Sequence, residues 1–129
     1  MTEWKWVSVQ IVEAIHNRQL AEHGGAGGVR DASALESALA RPINLSLYGN
    51  PDAAELAAAV AFGIARNHPF VDGNKRSAWV CARLFLRLNG VELAFDKAEA
   101  TVMVQDLAAG ELSEAEVAAW FRARVAAGG

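Results

Sequence analysis

The chain has 129 residues, 53% apolar and 21% charged, with a formal net charge of −3. That length suits one domain over residues 1–129 with a core of its own, and the acidic balance argues against a chain built mainly to bind nucleic acid. One cysteine, Cys81, excludes an intramolecular disulfide. No window reaches the roughly 18 apolar residues of a membrane span, and residues 1–6 hold no apolar leader stretch. The expectation is a cytoplasmic protein with neither nucleic acid nor a membrane as a direct partner.

In chain order, Val7, Ile11, Val12, Ile15 and Leu20 recur at helical spacing and predict a first amphipathic helix, started by Ser8 or Thr2. The cluster Gly24-Gly25-Ala26-Gly27-Gly28 ends it. It lacks a preceding strand and carries Arg30 where a dinucleotide fingerprint has its third glycine, so it reads as a flexible loop between helices. Asp31 or Ser33 caps a short second helix with Leu35 and Leu39 on one face, and Pro42 is expected to stop it. Residues 42–52 then read as a loop rich in turn formers. Asp52 caps a third helix to about Arg66 that is apolar nearly all round, the mark of a buried helix.

A fourth helix runs to about Leu88, with Val80, Leu84 and Leu88 as its stripe, Cys81 and Phe85 beside it, and Arg83 and Arg87 on a solvated face. A fifth spans about 96–109. Ser113 with Glu116 forms a capping box for a sixth that ends near Val125. Residues 91–95 alternate weakly and are too short for a convincing sheet. The fold class is therefore all-α, a compact bundle of about six helices around a buried central one.

The polar run between the third and fourth helices, His68-Pro-Phe-Val-Asp-Gly-Asn-Lys-Arg76, carries the chemistry. An imidazole is partly neutral near pH 7 and can accept a proton, which suits His68 to the role of base. Asp72 offers a hard carboxylate of the kind that holds Mg²⁺. Gly73 lets the backbone approach a ligand. Asn74 and Lys75 open a helix, whose free amides and dipole favour an anion, and Lys75 and Arg76 add full positive charge. Pro69 and Phe70 read as apolar anchors without a chemical role. Taken singly each residue has an ordinary structural explanation, but a plain turn needs neither a histidine nor two cations. Together they equip a loop to move a phosphate onto a hydroxyl. A Walker-type loop is excluded, since the run follows a helix and lacks the adjacent Gly-Lys-Ser/Thr.

This string resembles the signature of the Fic/Doc family, His-x-Phe-x-Asp/Glu-Gly/Ala-Asn-Gly/Lys-Arg, which His68, Phe70, Asp72, Gly73, Asn74, Lys75 and Arg76 all match. Residues 24–31, 35–39, 84–90 and 107–110 also look like parts of death-on-curing proteins. Family members that transfer AMP have glycine where this chain has Lys75, and a further arginine where it has Trp79.

The resemblance implies a Fic/Doc fold and a Doc-like kinase using ATP and Mg²⁺. It assigns His68 as general base, Asp72 as the metal carboxylate, Gly73, Asn74 and Lys75 as the anion cradle, and Arg76 as the neutraliser of phosphate charge. It also implies a threonine of elongation factor Tu as target, and a Phd-type antitoxin whose disordered tail folds on binding. The alternatives are a Fic-type AMP transferase and a non-catalytic binding partner, the latter disfavoured by an intact His68. The self-inhibitory string Ser/Thr-x-x-x-Glu-Gly/Asn does not occur, so inhibition is expected from a second chain. His16 reads as a structural histidine able to reach the site from the first helix, and His23 as exposed.

Overall fold

A computed structural model describes residues 3–126. Six helices follow in order: α1 Val9–His23, α2 Ala32–Tyr48, α3 Ala53–Asn67, α4 Asn74–Leu88, α5 Lys97–Ala108 and α6 Glu114–Ala123. Among the described residues there is no strand, only the isolated bridges Val29 to Phe70 and Leu93 to Val125. The protein is all-α. The short stretch around Leu93 is used after all, pairing with the chain beyond α6 through Ala94 N to Arg124 O and Ala126 N to Glu92 O.

The caps follow the expected chemistry. Ser8, Asp31, Asp52 and Ser113 each accept a first-turn amide, and the last two complete capping boxes with Glu55 and Glu116. Thr2 lies outside the described residues. α3 is the hub, packed against α2, α4 and α6. Its residues Leu56, Ala57, Ala58, Ala59, Val60 and Ala61 are all buried, which is why its sequence shows no polar face. Small side chains bring the helices close. A Cβ on Gly63 would stand 3.1 Å from Ala38 atoms of α2, so α3 touches the α2 backbone there.

Several expectations need correction. Pro42 does not end α2; the helix continues to Tyr48, and the turn is confined to the residues just before α3. Pro42 is buried beside Leu39 and Leu35, and Arg41 is tied at 2.6 Å to Glu114 at the start of α6. Burial and that ion pair offset the one helical hydrogen bond a proline forfeits. The stripe of α4 is rotated from Val80 and Leu84 toward Asn74, Ser77, Ala78, Cys81, Ala82 and Phe85. On α1 the buried positions are Val12 and His16, one turn apart, while Ile11 stays 38% exposed.

Cys81 is a core residue as expected: fully buried, with its thiol pushed up to about 12 by desolvation. Trp79 stacks on Phe121 and meets Phe95 and Trp120 edge-on. Arg83 lies over Trp79 and Phe95 instead of on a solvated face. Trp4 and Trp6 cover Phe85, and Asn89 holds that N-terminal segment through both Lys5 N and Lys5 O.

Asp52 caps α3 and meets the Arg122 guanidinium of α6 at 2.7 Å. The hydrogen bond from Arg122 is the main reason its carboxyl lies below the usual 3.8. Asp52→Ala is expected to lower stability by about 1 kcal/mol at neutral pH. Asp52 is more acidic folded than unfolded, so its contribution is complete above 3.8 and fades as pH falls through the lowered value. Thermal melts of both proteins at neutral and strongly acidic pH are expected to differ at the first and converge at the second.

Candidate active site around the loop from α3 to α4

The motif loop begins where α3 stops. His68 is the C-cap of α3, in the left-handed region at φ 48°, ψ 57°, with its amide on Ile64 O. It is the one non-glycine residue with positive φ among those described. Histidine tolerates this region better than most side chains, and the turn throws its imidazole outward, where it is exposed. The next two residues dive back: Pro69 and Phe70 are buried, Phe70 to 1%. The two apolar residues are therefore the anchors expected of them, and they set the polar ones at the surface.

Asn74, the first residue of α4, braces the loop from within. Its Oδ1 accepts from Phe70 N and its Nδ2 donates to Phe70 O, each at 3.0 Å. Nδ2 also sits 3.5 Å from His68 Nδ1, at the outer limit of a hydrogen bond and too long to fix the tautomer. The side chain of Asn74 is thus committed to the loop, and only its backbone amide is left for an anion. His68 Nε2 has no protein partner among the described residues. Asp72 is exposed; its Oδ1 accepts from Gly73 N at 2.8 Å.

Gly73 is the N-cap of α4 at φ 80°, a conformation that favours glycine, and it supplies no side-chain cap. The other five helices each have one. The first turn of α4 also holds no acidic residue, and Lys75 and Arg76 project from it, exposed. His68, Asp72, Gly73, Lys75 and Arg76 therefore stand on one open surface at the junction of α3 and α4.

The glycine cluster is more than a flexible link between helices, because it lies alongside the motif. Val71 N donates to Gly28 O, and Arg30 N and Asp31 N both donate to Pro69 O. The Arg30 side chain donates to His68 O at 2.7 Å and Asn67 O at 2.9 Å, closing the end of α3. A Cβ on Gly25 would stand 2.8 Å from Asp72 Oδ2, so a side chain there would displace the carboxylate. His16 reaches the loop from α1, its Nε2 on Asp72 O. Arg30 and Gly25 escaped the sequence reading because their partners are some 40 residues away; the glycines' run was the only local sign. A cleft of about 540 Å³ between α2 and α3 is lined by Arg41, Phe62, Arg66 and Asn67, and none of the motif residues lines it. The motif lies on an open face, outside that cleft.

Residues 6–86 match the Fic/DOC family, a span that contains α1 to α3, the loop and most of α4. The chain belongs to the Fic/DOC family. Among proteins similar to it is one named Toxin Doc, from Mycolicibacterium smegmatis, 49% identical over 76 residues that cover 57% of this chain and 58% of that protein. Another is named Protein kinase doc, from Escherichia phage P1, 34% identical over 117 residues, or 90% of this chain and 92% of that one. The second alignment covers enough of the chain to carry the likeness beyond α4 and across α5. No helix among the described residues is long and apolar enough to cross a membrane.

Proposed function

We propose that the chain is a Doc-type toxin of a toxin–antitoxin pair and a protein kinase. In this reading it transfers the γ-phosphate of ATP to a threonine hydroxyl of elongation factor Tu in the cytoplasm and so arrests translation. The observation that carries the reading is the start of α4: no side-chain cap, no acid in the first turn, and two exposed cations, Lys75 and Arg76. Cations at the positive end of a helix are unfavourable by themselves; a bound phosphate group reverses that sign and takes up the free amides. The name Protein kinase doc, borne by a relative aligned over 90% of this chain, supports phosphate transfer over AMP transfer. So does Trp79, which occupies with an aromatic core side chain the place where AMP-transferring members have an arginine.

His68 Nε2 takes the proton of the target hydroxyl as its oxygen bonds to the γ-phosphorus. The bond from that phosphorus to the β,γ-bridging oxygen breaks, and ADP leaves with the electron pair. Lys75, Arg76 and the first free amides of α4, those of Asn74 and Lys75, offset the charge on the transferring group. Asp72 fits a magnesium ion: Oδ1 is bonded to Gly73 N while Oδ2 has no hydrogen-bond partner, and among the described residues no cluster of three ligating side chains exists to cage a metal. One carboxylate with substrate phosphates is the usual way this ion is held; when bound it neutralises phosphate charge.

A separate Phd-type antitoxin with a tail that folds on binding completes the reading, in keeping with the name Toxin Doc of one relative and the lack of an internal inhibitory string. The test supplies ATP labelled at either the γ- or the α-phosphate to the chain and purified elongation factor Tu. Label from the γ position alone is expected. Label from the α position would establish AMP transfer instead, and no label on this target from either would reject the target.

A further inference from the structure

α1 buries only two residues, Val12 and His16. His16 is 2% exposed, and an apolar residue of like size would fill its place without a polar group to satisfy. Its contacts explain the choice. Nε2 donates to the carbonyl oxygen of Asp72 at 2.7 Å, which requires the proton on Nε2 in the neutral ring. The ring lies flat on Phe70, centroids 3.8 Å apart and planes 6° from parallel. A Cβ on Gly73 would stand 3.5 Å from the ring's Cδ2. One side chain thus touches Phe70, Asp72 and Gly73.

The carbonyl that His16 holds belongs to the peptide between Asp72 and Gly73. No other hydrogen bond reaches it among the described residues. That peptide's N–H, on Gly73, is bonded to the Asp72 carboxylate itself. Rotating the peptide would turn that N–H away, release the carboxylate and swing the first amides of α4. The loop is clasped from its surface side by Arg30 and the glycine strap; from the core side His16 supplies the one polar contact with this peptide.

We infer that His16 is a positioning residue: through Nε2 and its stack on Phe70 it fixes the Asp72–Gly73 peptide, and with it the carboxylate and the α4 amides, in the orientation that receives a phosphate. The inference rests on the reading of the loop as a phosphate-transfer site, and it assigns His16 no contact with substrate.

Two variants separate its contacts. His16→Phe keeps the stack and removes the donor; His16→Gln keeps an amide donor and removes the ring. In amide hydrogen exchange, His16→Phe is expected to speed exchange about tenfold at Gly73, whose amide is bonded to Asp72 Oδ1, with the centres of α3 and α4 unchanged. In steady-state transfer from ATP it is expected to lower kcat by about 10- to 100-fold, the usual cost of losing a group that orients a metal carboxylate, while KM for the protein target holds. His16→Gln is expected to recover most of that loss despite a lower melting temperature, which a purely structural role would not allow. Unchanged exchange at Gly73 in His16→Phe would overturn the inference whatever the enzyme does, and so would activities that follow melting temperature alone. If the wild type transfers no phosphate to any target, the kinase reading fails, and the exchange measurement still decides the role of His16.

Discussion

Replacing His68 with asparagine is expected to lower phosphate transfer by about 10²- to 10⁴-fold, the range for a general base, and to leave the melting temperature nearly unchanged. Asparagine is the cleaner probe than alanine because of the backbone. His68 sits at φ 48° as the C-cap of α3, a region that asparagine enters readily and that costs most other L-residues about 1–2 kcal/mol. The cap bond from its amide to Ile64 O survives either change. The carboxamide cannot serve as a base near neutral pH, so the two variants separate chemistry from strain: both lose transfer, and only the alanine variant also melts earlier. Initial rates with γ-labelled ATP, beside melts of the same preparations, make the comparison. An asparagine variant that keeps more than about a tenth of wild-type transfer would remove His68 from the role of base.

Much of this could be read along the chain because the signals were local. Asp52 with Glu55 and Ser113 with Glu116 announce helix starts through residues three apart, and the apolar surround of α3 announces its burial. The motif was legible for the same reason: α3 ends at Asn67 and α4 begins at Asn74, so a short string fixes where His68, Asp72 and the start of α4 stand. What was hidden depends on distance. Pro42 reads as a stop by local rules, but Arg41 is pinned to Glu114, 73 residues on, and the helix carries through. The glycines read as a linker, yet Gly28 O accepts from Val71 N, and the amides of Arg30 and Asp31 just beyond them donate to Pro69 O. Asn74 was legible as a helix start and a cradle, but not as a brace, because its partners on Phe70 depend on how the loop folds back. Each miss is a case where the chain's return to itself supplied a partner that no spacing rule contains.

Phe70→Ala is expected to cost about 3–5 kcal/mol of folding stability, a large share of the roughly 5–15 kcal/mol that holds a domain of this size. Phe70 is 1% exposed, lies flat on His16 and belongs to the main core. Its loss opens a cavity under the loop that the neighbours cannot close, because the backbone there is tied on both sides, to Asn74 within and to the glycine strap without. Phe70→Leu keeps most of the volume and is expected to lose less than half as much. Denaturant unfolding measures both. If the alanine variant loses under about 1 kcal/mol, the backbone bonds alone hold the loop and the stack on His16 is idle. The expected loss also reaches function at temperatures where the variant stays folded. With the ring gone, His16 has nothing to lie against, and the Asp72–Gly73 peptide it holds is freed along with the carboxylate. Transfer by Phe70→Ala is therefore expected to fall further than its folded fraction explains, a deficit read by scaling rates to the near-ultraviolet circular dichroism of the same sample.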